Sequence, residues 1–173
     1  MPNISHGCAP EVAAVTPVTA NFPDQTNPVV RLCAEGMAAE GTPAEARRLF
    51  EQAWAARRDD YDAAVAAHFL ARHQPTPAET LHWNTVAVRH AEEVRDGRAA
   101  ELLASLYLNL ADAQANVGDV VSAADSARRA AVHLQALLPG GYREFVAFGI
   151  RRLTVRVDGA SDGAPVVRED LTL

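Results

Sequence analysis

From Asn27 onward, apolar residues recur at intervals of three and four, in blocks divided by glycine, proline and aspartate, and this is the period of a helix with one buried face. Asn27-Pro28 predicts an N-cap followed by a residue that needs no N–H, with the first helix stopping at Gly41. Thr42-Pro43-Ala44-Glu45 predicts a second helix opened by a capping box, carrying Ala46, Leu49, Phe50, Ala53 and Trp54 on one face. A third helix is expected from Asp59-Asp60 through Gln74, with Ala63, Ala64, Ala67, Leu70 and Ala71 inward. Thr76-Pro77-Ala78-Glu79 repeats the same four letters and predicts a fourth helix running to about Asp96-Gly97. A fifth is expected over roughly 98–117, broken by Gly118-Asp119, and a sixth over roughly 120–138, ended by Pro139-Gly140-Gly141. A seventh runs from Tyr142 to about Val155; Leu153–Val157 alternates like a strand but has no partner strand, so continued helix is expected there.

The flanks read differently. Pro2, Pro10, Pro17 and Pro23 leave no room for a helical stripe, so residues 1–25 are expected to be a flexible arm. Gly159, Gly163 and Pro165 mark 158–173 as a loop-like tail, leaving 26–157 as the helical domain.

Composition narrows the function classes. The chain is 49% apolar but only 6% aromatic, and alanine, which lets helix axes approach closely, supplies much of the apolar share. Its 16 basic residues are all arginine, which fits a high-GC bacterial genome and carries no chemistry. A net charge of −6 and scattered arginine pairs argue against nucleic acid as a partner. Cys8 and Cys33 are too few for a disulfide framework, and Cys33 falls within an apolar stripe as a small hydrophobe. No apolar segment could span a bilayer, and no charged start leads into a run of signal-peptide length; the cytoplasm is the expected compartment.

The helix pairs carry an internal repeat. Val30, Cys33, Ala34, Met37, Gly41, Ala46, Phe50 and Ala53 stand at the same intervals as Tyr107, Leu110, Ala111, Gln114, Gly118, Ala123, Ala127 and Ala130. This spacing resembles the tetratricopeptide repeat: a small residue midway along the first helix, a turn glycine seven positions on, then alanines facing the neighbouring helix. The middle hairpin departs from it, with His68 at the small-residue site and longer helices, as in long-helix bacterial tetratricopeptide-like proteins. The resemblance, over about 27–137, implies an all-α, antiparallel helix-hairpin solenoid of about seven helices, the last one a cap. It further implies a concave groove lined by the first helix of each pair, near Phe69, Arg72 and His73 and near Ser105, Asn109, Asp112 and Asn116.

The candidate binding residues follow from that groove. His68, Arg72 and His73 would face Asn109 and Asp112, with Trp83 or Tyr107 as an aromatic wall; arginine would clamp a carboxylate and asparagine would pair with a peptide backbone. Each has a plainer reading: His68 as a hydrogen-bonded core histidine, Trp83 and Tyr107 as core fillers, Arg72 as the partner of a neighbouring acid. His68 and His73 are five apart and His82 and His90 eight apart, neither at zinc spacing, and no glycine-rich phosphate loop or Gly-x-Ser-x-Gly occurs. No metal, cofactor or catalytic residue is therefore expected. Two readings stay open: an interaction module for a protein or peptide, a second copy of the chain included, and a small enzyme or small-molecule binder of a specialised biosynthetic pathway.

Overall fold

Helix starts here are decided by competition for a few exposed N–H groups. Asn27 caps α1 (Pro28–Ala38), its side-chain oxygen accepting the Val29 N–H at 2.9 Å. At α4 (Pro77–Glu93), Thr76 Oγ1 accepts the Glu79 N–H at 3.2 Å and donates to Glu79 Oε2 at 2.6 Å, so the threonine half of the expected box forms while the carboxylate takes the hydroxyl and not the Thr76 N–H. At α2 (Pro43–Ala55) the same four letters do not close one, because Arg48, one turn on, takes the Glu45 carboxylate at 2.9 and 2.5 Å and Thr42 makes no side-chain cap. Position 82, the equivalent of Arg48 in the second copy, is a histidine that makes no such bond.

The structure is a computed structural model that describes residue 24 and residues 26–161. The expected arm thus lies almost wholly outside the described residues, as do Cys8 and the tail beyond 161. Among the described residues there are seven α-helices, one 3-10 turn and no strand: α1, α2, α3 (Asp60–Ala71), α4, α5 (Leu103–Asn116), α6 (Val120–His133), the turn Leu134–Ala136, and α7 (Gly141–Ser161). The all-α class is as expected.

Several boundaries differ: the third helix ends at Ala71 and not Gln74, and the sixth ends at His133 before a 3-10 turn. The fourth helix stops at Glu93 because Val94 turns extended (ψ 109°), and Gly97 follows in the left-handed region at φ 81°, where only glycine is unstrained. The fifth begins at Leu103, after a series of turns in which Arg98 bonds Asp96 and Asp59. The seventh runs on to Ser161, so 158–161 belong to the helix and not to a tail. Leu153 and Val157, one turn apart, are both buried, as one face of a helix requires.

Each helix packs on the next along the chain. In addition α1 packs on α3, and α5 packs on α7. Helix α3 is enclosed by α1, α2 and α4, and Tyr61–Ala67 and Phe69–Ala71 are buried all round, wider than the stripe the sequence suggests. Cys33 is buried and free, with burial pushing its thiol well above the usual range. Helices α3 and α5, by contrast, are not packed along their length, and α4 bridges them. That gap positions the site.

Candidate functional site

The gap is a cleft of about 340 Å³, lined by His68, Ala71 and Arg72 of the α3 end, residues 74–77 of the following turn, Thr80 and Asn84 of α4, and Asn109, Asp112, Ala113 and Asn116 of α5. Helical phase explains the selection. Asn109, Asp112, Ala113 and Asn116 recur at three and four along one face of α5, and His68 and Arg72 are one turn apart on α3. Of the seven residues expected from sequence, His68, Arg72, Asn109 and Asp112 meet here.

The other three stand elsewhere. His73 stacks on Phe50 at 5.5 Å, its Nε2 lying 3.6 Å from Glu40. Trp83 faces away from the cleft and meets Trp54 of α2 edge-on at 5.0 Å, while its neighbour Asn84 faces inward. Tyr107 lies toward α6, its hydroxyl donating to Glu92 and accepting from Arg129 at 3.0 Å, its ring flat against His133 at 5.5 Å. No aromatic wall lines the cleft; all three fill space between helices.

The charges in the cleft are already paired. Arg72 donates from Nε and Nη2 to Glu40 Oε1 at 2.9 and 2.8 Å, tying the α1–α2 turn to the end of α3. A carboxylate clamp at Arg72 therefore has an internal occupant. Asp112 accepts from Arg156 Nη2 at 2.6 Å and from Asn116 Nδ2 at 3.0 Å, and the Asp112 and Arg156 side chains are each only 12% exposed. Arg156 escapes sequence reasoning because its partner Asp112 is 44 positions away, beyond any local pattern.

The amides remain available. Gln74 donates to the Leu70 carbonyl at 2.7 Å, Asn84 to the Thr80 carbonyl at 3.1 Å, and Asn116 to Asp112, so their partners fix which end of each amide is nitrogen. Their oxygens accept nothing from the protein and are not enclosed. Only Asn116 of these three stands on the groove face expected from sequence; Gln74 and Asn84 are brought in by the turn and by α4.

His68 Nδ1 lies 3.3 Å from the Asn109 side-chain amide, within hydrogen-bonding distance. Burial, followed by the positive charge of Arg72, pulls the His68 pKa down to about 4 from an ordinary 6.5. Below pH 6.5 the unfolded chain takes up a proton that the folded chain refuses, so stability falls as pH drops from 6.5 toward 4 and is unaffected above. The expected loss between pH 7.5 and pH 5.5 is about 1.5 kcal/mol. Urea unfolding of the wild type and of His68→Gln at both pH values checks it; equal losses in the two proteins would remove His68 as the cause.

Among the described residues no group of three or more His, Cys, Asp or Glu could hold a metal ion. His90, an outlying histidine, bonds Asp60 at 2.7 Å. No described helix is long and apolar enough to cross a membrane. Comparison with protein-family models, with characterised proteins and with solved structures finds no match to this chain.

Proposed function

We propose that the chain is a non-enzymatic interaction module, a tetratricopeptide-like array that holds an extended peptide segment in the cleft between α3 and α5. The carrying observation is the set of amide oxygens on Gln74, Asn84 and Asn116, oriented by their own donated hydrogen bonds and left without protein donors. An extended peptide offers a row of N–H groups, and fixed amide acceptors along a cleft are what such a row pairs with. Pairing of Arg72 and Asp112 within the protein leaves the cleft close to neutral, which suits a peptide backbone better than a charged group.

The array is supported by the internal repeat and by the packing of α1 on α3 and of α5 on α7. In the first and third hairpins, Cys33, Ala46, Phe50, Ala53, Leu110, Ala123, Ala127 and Ala130 are buried at matching intervals. The middle hairpin interrupts the series, and its His68 lines the gap.

A peptide-array screen followed by fluorescence-polarisation titration tests the proposal. Asn84→Ala and Asn116→Ala are each expected to weaken a selected peptide about tenfold, the cost of one lost hydrogen bond in a partly dry site. If the variants bind as the wild type does, or no peptide binds more tightly than about 1 mM, the reading fails.

The cleft volume favours a second reading, because about 340 Å³ falls in the range of small-molecule pockets. Under it a metabolite with several donors occupies the same oxygens. Stabilisation in a thermal-shift screen by a small molecule, with no peptide bound, would move the assignment there. A catalytic version gains nothing from His68, whose Nδ1 engages an amide and not a hydroxyl or thiol that it could activate.

A further inference from the structure

Helix α7 turns one face to the core and leaves the opposite one uncovered. Val146, Ile150, Leu153 and Val157 are buried. At 3.6 residues per turn, Phe148 and Val155 point directly away from them. Phe148 is 50% exposed, Phe145 49% and Val155 73%. Phe145 and Arg152 flank this line on one side, Glu144 and Arg151 on the other.

The charges along one flank of this line are left over from the chain's own ion pairs. Several exposed arginines elsewhere are matched by acids: Arg47 with Glu51, Arg48 with Glu45, Arg98 with Asp59 and Asp96, Arg129 with Asp125. Among the described residues Glu144 and Arg151 have no ion-pair partner in the chain. Seven residues apart on one helix, they cannot reach each other.

We infer that α7 is a self-association surface on which a second copy of the chain docks its own α7, antiparallel about a two-fold axis at Phe148. In such a pair the same flank of both helices meets, and a residue before the axis faces one within a residue of the same distance after it. Glu144, four positions before Phe148, then faces Arg151, three positions after it, in the second copy, and the contact occurs twice. Phe148 meets its own symmetry mate, Phe145 lies against Arg152 of the second copy, and Val155 meets Gly141, where no side chain obstructs it. Charge order and apolar order are therefore both self-complementary, and this selects a second copy over an unrelated partner. A parallel arrangement would bring opposite flanks together and set Arg151 beside Arg152 of the second copy, leaving Glu144 and Arg151 apart.

One helix pair buries less than the ~1,600 Å² of a standard interface, so a micromolar dissociation constant is expected. Sedimentation of the full chain from about 1 to 300 μM reads it. A monomer–dimer equilibrium is expected, abolished by Phe148→Glu with circular dichroism and melting unchanged; Phe148→Ser serves if the glutamate variant does not fold. Glu144→Arg and Arg151→Glu should each weaken the dimer about fivefold, and the double reversal should restore it. The inference falls if the chain is monomeric throughout, if Phe148→Ser leaves the dimer intact, or if the double reversal fails to rescue. A monomer that dimerises only when residues 162–173 are removed would mean that this segment covers α7, which also overturns the inference. Peptide binding in the cleft is read separately, with the variants at Asn84 and Asn116.

Discussion

Replacing Asp62 by alanine is expected to lower the unfolding free energy by about 3 kcal/mol and the melting temperature by roughly 10 °C. Asp62 is completely buried, near the start of α3. Its Oδ1 accepts from Asn27 Nδ2 at 2.5 Å, and its Oδ2 from the Arg58 backbone N–H at 3.1 Å and the Arg58 Nε at 2.9 Å. Asn27 is the residue that caps α1, so one carboxylate joins the beginnings of two helices. Alanine would strand a buried amide and weaken the cap it orients. Arg58 is mostly exposed and can turn to water, so the cost stays below that of stranding a buried charge. Asp62→Asn, which keeps an acceptor, should lose about half as much. Urea unfolding at pH 7 measures both, and a loss below about 1 kcal/mol for the alanine variant would deny Asp62 this role.

The second large effect is expected at Gly36. A Cβ there would lie 2.3 Å from Cε1 of Phe50, a fully buried ring stacked on Phe69 and on His73 at 5.5 Å each. Alanine is the better helix former by about 1 kcal/mol. Yet forcing apart a ring held on both faces costs about 3 kcal/mol, so Gly36→Ala should be destabilised by about 2 kcal/mol net. Gly149→Ala is the comparison: its Cβ would lie 2.7 Å from Cδ2 of Leu108, a longer approach to a single methyl end, and a smaller loss is expected. Differential scanning calorimetry of the two variants would show the order; a stabilised Gly36→Ala would mean that Phe50 yields easily.

Both residues were inconspicuous in the sequence. Asp62 follows Asp59 and Asp60 and reads as one more acid in a solvated first turn, until α1 brings Asn27 onto it. Gly36 lies in the last turn of α1, where glycine reads as the approach of a helix end, and nothing local reveals that Phe50 of the next helix presses against it. Trp83 and Asn84 make the same point for the site. They are adjacent, and the hundred-degree step between them sends one to Trp54 and the other into the cleft. Asn109 and His68 meet across 41 positions because α4 sets the spacing between α3 and α5.

What the chain determined by itself was local. The helical period, the Asn27 and Thr76 caps and the glycine stop at Gly118 depend on groups within a turn of one another, so the all-α class and the seven helices were legible. What only the tertiary structure decided was which polar side chain meets which gap. That choice rests on small errors in helix phase and length, which accumulate along the chain, and on competition among partners distant in sequence: Glu40 for Arg72, Arg156 for Asp112, Phe50 for the space beside Gly36. No local pattern encodes the outcome of that competition, because it is settled by how closely the packed helices approach.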